Sequence, residues 1–538
     1  MISGRRVLAA VALISTAAAA LIAGCGGNTT RSMQGEIEQV IGASRYRQST
    51  WSINVIDPAT GATVYAIQPD ALTYVGSTRK LFSVGMALNQ LGADHQFVTP
   101  VYALGSVEAS GTLDGNLILV ASGDLTMGGR ANPDGTIAFS GFDHNEANSL
   151  GNAGIVQADP LAGYDKLASQ IAAAGIKRIG GDVVIDDRLF VPFDFREEFN
   201  VSPIFVNDDV VDVLVNPGAA GATANVDWRP KSAAFGVTSS VSMVGANADT
   251  DIEFAPRDPT CFGTPRCFGN VSGTLAAQYV PPLTGAYPLV KTFRITDPAS
   301  YARTVLVEAL ARHGVAVGAP AVEVNPRQSL PPQGAYASAS PVARLVSPPY
   351  REYAKFILKV SYNIGADVSL VLYGLASSGA TTMHDALATE RTALESQFHL
   401  APDSFAFVDG SGGLETKATG TALTTLLAGM QKTAYFDAYL DALPVLGVDG
   451  SLGFVTEFMQ DASLAGAKGH VRAKTGTYVG GKPVALKGQA LAGYVDAKSG
   501  RRYVFMLSVN NVPFGSIDDV LPVFQDQGRI AAILWKYL

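Results

Sequence analysis

Residues 74–82 read Tyr74-Val75-Gly76-Ser77-Thr78-Arg79-Lys80-Leu81-Phe82. This stretch places a serine and a lysine three residues apart, directly before an apolar run that reaches Leu91 and predicts a buried helix. At this spacing the two side chains lie one turn apart on the same helix face. A serine hydroxyl needs an adjacent base, and a lysine is such a base only where burial or nearby positive charge lowers its pKa. The stretch therefore predicts that Ser77 is a nucleophile and Lys80 its base.

A second motif, Lys474-Thr475-Gly476-Thr477, follows at the end of a strand predicted over residues 469–474. A strand edge offers backbone groups to an extended peptide, and the lysine ammonium and the hydroxyls of Thr475 and Thr477 can hold a carboxylate. Gly476 leaves space where the backbone of a ligand approaches closely. The alternative interpretation is a strand end that carries a surface lysine.

Between these motifs lies Ser361-Tyr362-Asn363, at the end of a helix predicted over residues 350–360. Two other Ser-x-Asn triplets lie inside predicted strands, where alternate side chains are explained by the sheet. The pair at the end of a helix is not explained in this way, so its polar side chains require another role. The Ser361 hydroxyl can relay a proton between Lys80 and a leaving group, and the Asn363 amide can bond a substrate amide. Helix capping is the alternative, and the triplet taken alone favours it.

The composition allows a chain of more than one domain and argues against a nucleic-acid partner. The chain has 538 residues, of which 47% are hydrophobic, and a net charge of −8. No basic cluster and no alternation of basic and aromatic residues accompanies this acidity, so we expect no nucleic-acid binding. The six histidines are scattered and form no cluster with metal-ligand spacing. We therefore expect neither a metal nor another cofactor.

Residues 1–24 are predicted to be a signal peptide, because a charged start precedes an apolar run. Ile22-Ala23-Gly24-Cys25 resembles a bacterial lipoprotein box, in which cleavage leaves Cys25 first and lipidated. Several acyl chains on one cysteine give stable anchoring. The alternative is an ordinary secretory leader with an accidental cysteine. We expect an exported lipoprotein of the periplasm or cell envelope, anchored to a membrane at Cys25, with a tether over residues 25–34.

The two remaining cysteines, Cys261 and Cys267, lie in Thr-Cys-Phe-Gly-Thr-Pro-Arg-Cys-Phe. In an exported chain, an even pair of cysteines separated by a turn predicts a local disulfide. A metal site would need further ligands nearby, and the sequence around this pair has none.

The order of the predicted elements indicates an α+β fold. A hairpin at residues 51–67 and three strands between residues 469 and 509 form an antiparallel sheet, with helices packed on its faces. Two helix–glycine–strand units, at residues 164–185 and 301–324, flank a middle region rich in proline and glycine. True internal repetition and chance similarity explain these two units equally well.

Ser-x-x-Lys, Ser-x-Asn and Lys-Thr-Gly, in this order in one exported chain, are far more specific together than alone. With them, the sequence resembles the low-molecular-mass penicillin-binding proteins of the D-alanyl-D-alanine carboxypeptidase/endopeptidase type (class C, peptidase family S13, DacB-like). The long gap between Lys80 and Ser361 matches the large insert of that family and exceeds the gap in a simple serine β-lactamase or small carboxypeptidase. The further stretches that look like the family are Ser122–Thr126, Gly180–Asp186, Asn207–Val213, Val408–Gly412 and Leu443–Leu452.

The resemblance implies a serine β-lactamase/transpeptidase-like domain, built as an antiparallel sheet with helices on both faces and carrying a large inserted α/β and β-rich region. The transpeptidase-like domain is then split into two parts, residues 35–100 and 336–538. The inserted domain occupies residues 101–335 and holds a smaller β lobe at about 219–285.

The resemblance also implies the chemistry. Ser77 attacks the carbonyl between two D-alanines of a peptidoglycan stem peptide, Lys80 takes its proton, and Ser361 and Lys474 complete the proton and charge network. Water then hydrolyses the acyl-enzyme, and β-lactams acylate Ser77 as covalent inhibitors that mimic the substrate. The implied substrate contacts are Asn363 with the peptide, Thr475 and Thr477 with the terminal carboxylate, and the backbone N–H groups of Ser77 and Thr477 as the oxyanion hole.

Several positions depart from the family pattern or extend it. Tyr362 is bulkier than the usual Asp or Asn, which predicts a reshaped cleft wall. Residues 413–417 read Gly-Leu-Glu-Thr-Lys where the family has Leu-Ser-Arg, in a region that lines the substrate pocket of relatives. Tyr478 follows the third motif and is expected to line the same pocket. Asp208 resembles an acidic residue that faces the amine of diaminopimelate in relatives; the alternative is an exposed turn aspartate.

Three functions compete on the sequence alone. The favoured one is a serine DD-peptidase that acts on peptidoglycan stem peptides as a carboxypeptidase, an endopeptidase or both. A β-lactamase or esterase on the same scaffold is disfavoured by the long insert. A non-catalytic lipoprotein that binds the cell wall is disfavoured by the complete set of reactive residues.

Overall fold

The computed structural model describes residues 27–336, 338–482, 484–516 and 519–538, with side chains from Met33 onward. The predicted signal peptide and the predicted lipid attachment at Cys25 lie outside these residues. None of the described helices is both long enough and apolar enough to span a membrane.

The elements follow one another in chain order. The helices are α1 Gly27–Ile41, α2 Lys80–Leu91, α3 Ala147–Leu150, α4 Ala162–Ala173, α5 Pro298–Arg312, α6 Tyr350–Val360, α7 Asn363–Ser378, α8 Met383–Gln397, α9 Gly420–Met430, α10 Phe436–Ala442 and α11 Val520–Tyr537. The strands are β1 Thr50–Ile56, β2 Thr63–Ile67, β3 Thr73–Tyr74, β4 Gln96–Val107, β5 Thr112–Val120, β6 Arg178–Ile179, β7 Val183–Asp186, β8 Phe193–Phe195, β9 Phe199–Val201, β10 Val210–Asn216, β11 Asn225–Arg229, β12 Gly236–Val244, β13 Asp251–Ala255, β14 Phe268–Ala276, β15 Leu289–Arg294, β16 Ala316–Val317, β17 Ala343–Pro349, β18 Phe405–Ala406, β19 Lys417–Ala418, β20 Val471–Gly480, β21 Ala485–Asp496 and β22 Arg502–Val512.

A five-stranded antiparallel sheet joins the first two strands of the chain to the last three, in the order β2-β1-β22-β21-β20. Along β22, Val504 and Met506 lie in the core that contains α2, whereas Phe505 and Leu507 lie in the core that contains α11. A strand covered on both faces is apolar at consecutive positions. The prediction of an antiparallel sheet with helices on both faces is confirmed.

Helix α1 occupies most of the stretch predicted as a tether. Met33, Ile37 and Val40 recur at helical spacing and are buried in the core that contains α11. Lys536 and Tyr537 of α11 both donate to the carboxylate of Glu36, at 2.7 and 2.6 Å. The tether prediction is therefore wrong from Gly27 onward, because these apolar residues give the segment a face to bury.

Among the described residues, the region from β4 to β17 forms four further sheets, of which the smallest is the two-stranded pair of β8 and β9. Its six-stranded sheet has the order β16-β6-β5-β4-β17, with β7 also paired to β5. Two three-stranded sheets follow the orders β11-β10-β15 and β12-β14-β13. Because β17 pairs with β4, the six-stranded sheet extends past the insert predicted over residues 101–335. The domain limits themselves stay predictions.

The strand predicted at residues 321–324 is wrong, since those residues form no regular element. The position in the sheet belongs to β16, which runs parallel to β6. The carbonyl oxygens of Pro320 and Ala321 instead accept hydrogen bonds from the guanidinium of Arg303, at 2.9 and 3.0 Å. A side chain thus satisfies backbone groups that the sequence pattern assigns to a strand.

Cys261 and Cys267 are joined by a disulfide, which confirms that prediction. The loop they close carries Phe262, whose ring packs against Phe235 of the β-rich region and Tyr301 of α5. The disulfide therefore stabilises a contact between this region and the neighbouring helix.

Candidate active site

The turn that carries Ser77 is a 3₁₀ helix at residues 76–79, which continues directly into α2. Apolar residues at the start of α2 are buried in the core and fix the orientation of this turn. Gly76 has a φ of +48°, and a Cβ there would lie 2.6 Å from the backbone nitrogen of Thr477. The serine turn therefore packs directly against β20, and the predicted helix ends at Gly92 as expected.

Lys80 lies fully buried at the centre of the site. Its Nζ is 2.7 Å from Ser77 Oγ, 2.6 Å from Asn363 Oδ1 and 2.8 Å from the carbonyl oxygen of Ser411. Burial, with a smaller contribution from the charge of Arg196, lowers the pKa of Lys80 to about 7, although nearby carboxylates oppose this shift. Near neutral pH, a substantial fraction of this lysine is therefore an unprotonated amine.

The neighbours of Lys80 direct its lone pair toward the serine. A neutral lysine amine has two N–H groups and one lone pair. The Asn363 oxygen and the Ser411 carbonyl are acceptors, and they occupy the two N–H groups at 2.6 and 2.8 Å. The lone pair then faces the Ser77 hydroxyl. This is the geometry that a general base requires.

Ser361 and Lys474 form a second hydrogen-bonded pair of motif residues. Lys474 Nζ donates to Ser361 Oγ at 2.9 Å and to the carbonyl of Thr475 at 2.8 Å. Burial first, and the charge of Lys80 second, lower the pKa of Lys474 well below its usual value. Ser361 ends α6 in a left-handed conformation with φ +66°, and its backbone N–H bonds to Ile357. The backbone thus caps the helix, while the hydroxyl contacts Lys474.

The third motif lies inside β20 and not at its end. The sequence predicts a strand that stops at Lys474, but β20 continues to Gly480 because its pairing with β21 extends that far. β20 is an edge strand of the five-stranded sheet. Residues 444–446 pair with the start of its outer edge, at residues 471–473, so we expect an extended peptide on this edge only from Lys474 onward. Thr475 Oγ1 lies 2.8 Å from Ser451 Oγ, and Thr477 donates to Gln489 Oε1 at 2.8 Å.

The structure gives a different reason for a glycine at position 476 from the one inferred from the sequence. A Cβ at this position would lie 2.1 Å from the carbonyl oxygen of Val75 and 3.0 Å from the backbone nitrogen of Ser77. Its missing side chain therefore makes room for the serine turn and not for a ligand. The motif glycine allows β20 and the nucleophile to come together.

A cavity of about 280 Å³ opens beside the nucleophile. Tyr478 lies on its wall, as the sequence predicts, and its ring is 5.2 Å from that of Tyr74. Leu414 lies in the segment that departs from the family pattern, and it is 55% exposed. The residues that line the cavity are Ser77, Arg196, Asn363, Gly412, Gly413, Leu414, Thr477, Tyr478 and Val479.

Asp208 does not reach this cavity. It is 1% exposed, accepts a hydrogen bond from Arg130 Nε at 2.7 Å and lies 2.8 Å from His144 Nε2. A contact between Asp208 and a substrate amine is therefore a prediction that this geometry contradicts. The alternative, an exposed turn aspartate, is equally inconsistent with the burial.

The same cluster brings potential metal ligands together. Ligand atoms of Asp143, His144 and Asp208 lie within 4.8 Å of one another. The guanidinium of Arg130 bonds to all three. A cation at this point would face a positive charge, so the cluster is better suited to an internal ion-pair network.

Tyr362 points into the protein interior and not into the cleft. It is 1% exposed, and its ring packs 5.2 Å from that of Phe356. The expectation that its bulk reshapes the cleft wall is therefore wrong. Its neighbours on either side contact the two lysines of the site: Ser361 accepts from Lys474 at 2.9 Å and Asn363 accepts from Lys80 at 2.6 Å.

Three residues that the sequence does not single out contact the site. Glu146 accepts a hydrogen bond from Asn363 Nδ2 at 2.7 Å, and Arg196 donates to Ser411 Oγ at 3.0 Å. Asp367 accepts a backbone hydrogen bond at 2.8 Å, and its burial raises its pKa to about 7. Asp367 follows Asn363 by one helical turn, a spacing that predicts a shared face. No local sequence pattern predicts that Glu146 and Arg196 belong to the site.

Comparison with known proteins finds related sequences over most of the chain. The sequence profile of the D-Ala-D-Ala carboxypeptidase 3 (S13) family matches residues 33–522. A D-alanyl-D-alanine carboxypeptidase of an Actinomadura species is 24% identical over 509 residues, which cover 89% of this chain and 81% of the relative. The D-alanyl-D-alanine carboxypeptidase DacB of Haemophilus influenzae is 24% identical over 485 residues, which cover 86% of each chain.

The fold has a solved counterpart as well. The crystal structure of penicillin binding protein 4 (dacB) from Haemophilus influenzae is similar with a TM-score of 0.66 at 19% identity, covering 93% of this chain and 99% of that one. This likeness confirms the predicted α+β architecture. The match of the family profile over most of the sequence confirms the predicted resemblance: the chain belongs to the D-Ala-D-Ala carboxypeptidase 3 (S13) family, a family of serine peptidases.

Proposed function

We propose that this protein is a serine DD-peptidase that cleaves D-alanyl-D-alanine bonds of peptidoglycan stem peptides through an acyl-enzyme on Ser77. The observation that carries the proposal is the buried Lys80, whose Nζ lies 2.7 Å from Ser77 Oγ and whose pKa is lowered to about 7. Membership of the family and the activity for which two relatives are named support the substrate class.

The acylation step uses groups already in place. Lys80 takes the proton of Ser77 as the hydroxyl oxygen attacks the carbonyl carbon, and the backbone N–H groups of Ser77 and Thr477 stabilise the oxyanion. Asn363 bonds the substrate amide. The proton passes through the Ser361 hydroxyl to the leaving amine as the peptide bond breaks. Water then attacks the ester, and the same base removes its proton.

Substrate binding uses the outer edge of β20 from Lys474 onward. Lys474, with the hydroxyls of Thr475 and Thr477, holds the terminal carboxylate, and the backbone of the strand pairs with the peptide. Tyr478 lies beside the acyl part of the ligand. A β-lactam places its own carboxylate and amide on the same groups, so it acylates Ser77 as a substrate mimic. The same acylation step serves carboxypeptidase action, endopeptidase action or both, because the two activities differ in the leaving group.

A fluorescent penicillin tests the proposal. We expect covalent labelling of the wild-type protein and its loss in Ser77→Ala. Folded wild-type protein without labelling would favour a non-catalytic wall-binding lipoprotein, and rapid turnover of the drug would favour a β-lactamase or esterase. Mass spectrometry of muropeptides incubated with the protein then separates the two activities, because loss of terminal D-alanine and cleavage of cross-linked dimers give different products.

The proposal also includes export and a lipid anchor at Cys25. The disulfide between Cys261 and Cys267 supports export, because disulfides persist in oxidising compartments. The test is metabolic labelling with a palmitate analogue, followed by membrane fractionation. We expect a labelled protein in the membrane fraction, and an unlabelled one for Cys25→Ser. Equal behaviour of the two proteins would refute the anchor without affecting the enzymatic proposal.

A further inference from the structure

We infer that Glu146, from the region between β4 and β17, is a positioning residue for the proposed acylation: it fixes the amide of Asn363 so that its oxygen faces Lys80. Asn363 Nδ2 donates to Glu146 Oε1 at 2.7 Å, while Asn363 Oδ1 accepts from Lys80 Nζ at 2.6 Å. The amide thus bridges a carboxylate from one region of the chain and the catalytic base from another.

The orientation of this amide decides whether Lys80 can act as a base. An asparagine amide presents an acceptor at one end and donors at the other. With the oxygen toward Lys80, the amide occupies an N–H group of the amine and leaves the lone pair to Ser77. With the amide reversed, Nδ2 would donate to the lone pair and block it. A carboxylate has no N–H to offer, so Glu146 stabilises only the first orientation.

Glu146 is held firmly enough for this role. It ends a short 3₁₀ helix, His144–Glu146, whose first residue is buried between Asp208 and Asp212 at 2.8 and 2.6 Å. Two residues after it, the side-chain amide of Asn148 bonds both the carbonyl and the N–H of Thr292, at 2.8 and 3.0 Å. Contacts on both sides of Glu146 therefore fix its backbone.

The surroundings of Glu146 leave its carboxylate available to accept the hydrogen bond from Asn363. It borders a polar cavity of about 70 Å³, and among the described residues it takes part in no ion pair within 4.0 Å. The other charged residues that border this cavity are Arg196, Glu198, Arg257, Asp258 and Arg294. Glu198 therefore provides a matched control: it lies on the same cavity and carries the same charge, but has no bond to Asn363.

The test is the second-order rate constant for acylation by a fluorescent penicillin, expressed per folded molecule after active-site titration. We expect a loss of about tenfold in Glu146→Gln, whose amide can also stabilise the reversed Asn363, and of about 30-fold in Glu146→Ala. Glu198→Gln should stay within about twofold of the wild type, because it changes the same charge without the hydrogen bond.

A double-mutant cycle identifies the route of the effect. In an Asn363→Ala background, Glu146→Ala should lower the residual rate by less than about twofold, because the amide it positions is gone. The charge of Glu146 also raises the pKa of Lys80. The acidic limb of the pH–rate profile should therefore move to lower pH in Glu146→Gln and stay in place in Glu198→Gln.

Two results would overturn the inference. One is a wild-type acylation rate per folded molecule in Glu146→Gln and Glu146→Ala. The other is a loss of acylation rate on Glu146→Ala that is equally large in the wild-type and Asn363→Ala backgrounds. The inference rests on the proposed function, but the two fail separately. An unlabelled wild-type protein refutes the function, whereas a labelled wild type with unaffected Glu146 variants refutes only the role of Glu146.

Discussion

Replacing Gly476 by alanine tests whether the motif glycine serves the assembly of the site. The new Cβ would lie 2.1 Å from the carbonyl oxygen of Val75. The backbone fixes the positions of both atoms, so a side-chain rotation cannot relieve this clash. Relief requires β20 and the serine turn to separate by roughly 1 Å, since nonbonded heavy atoms pack at 3.0 Å or more. A displacement of about 1 Å at a reacting centre costs about 100-fold in rate, and overpacking costs about 1–3 kcal/mol in stability.

The assay measures the acylation rate with a fluorescent penicillin, alongside the free energy of unfolding in urea. Gly245→Ala is the matched control, because a Cβ there meets nothing within 4 Å. We expect Gly476→Ala to lose about two orders of magnitude in rate, and the control to lose nothing. A variant with a wild-type rate and wild-type stability would refute the reasoning. A lower rate at wild-type stability would instead return Gly476 to the role of making room for a ligand.

Three further predictions concern the base, a buried ion pair and the disulfide. The acylation rate should rise with pH through about 7, because Lys80 must lose its proton to act and burial lowers its pKa to about 7; a flat profile contradicts this. Glu390→Ala should lower the free energy of unfolding in urea by about 3 kcal/mol, since it leaves Arg79 buried and unpaired; an unchanged midpoint contradicts it. Changing Cys261 and Cys267 to serine should cost about 2 kcal/mol on the same measurement, with the acylation rate unchanged, and a lost rate would show that the lobe shapes the cleft.

The sequence predicts the central sheet because its strands have local signatures. β1 and β2 flank a turn with glycine, and β21 and β22 are long apolar runs joined by Lys498-Ser499-Gly500. The reactive residues are predictable for a similar reason. Ser77 and Lys80 share one turn, so a spacing of three residues fixes their mutual geometry before any tertiary contact is known.

The remaining parts of the site depend on tertiary contacts that no local pattern reports. Glu146 contacts Asn363 because its 3₁₀ helix is held in place by an ion-pair network. This network joins His144 to Asp212, which are more than sixty residues apart in the sequence. The sequence offers two interpretations of Asp208, a contact to a substrate amine and an exposed turn aspartate. Its left-handed backbone, with φ +56°, agrees with a turn, but its carboxylate is buried and accepts a hydrogen bond from Arg130 in that network. Burial of charged groups is set by their partners, and the partners are distant in sequence.

The two buried lysines explain why Lys80 can accept the proton of Ser77 when a substrate is bound. Lys80 and Lys474 are both fully buried, and each has a lowered pKa whose first cause is burial. On the proposed function, the carboxylate of an arriving substrate favours the charged form of Lys474. That charge disfavours a second ammonium on Lys80, because like charges in a buried site oppose each other. Lys80 is then unprotonated when the substrate is bound, and the proton it takes from Ser77 passes readily through Ser361 to the leaving amine.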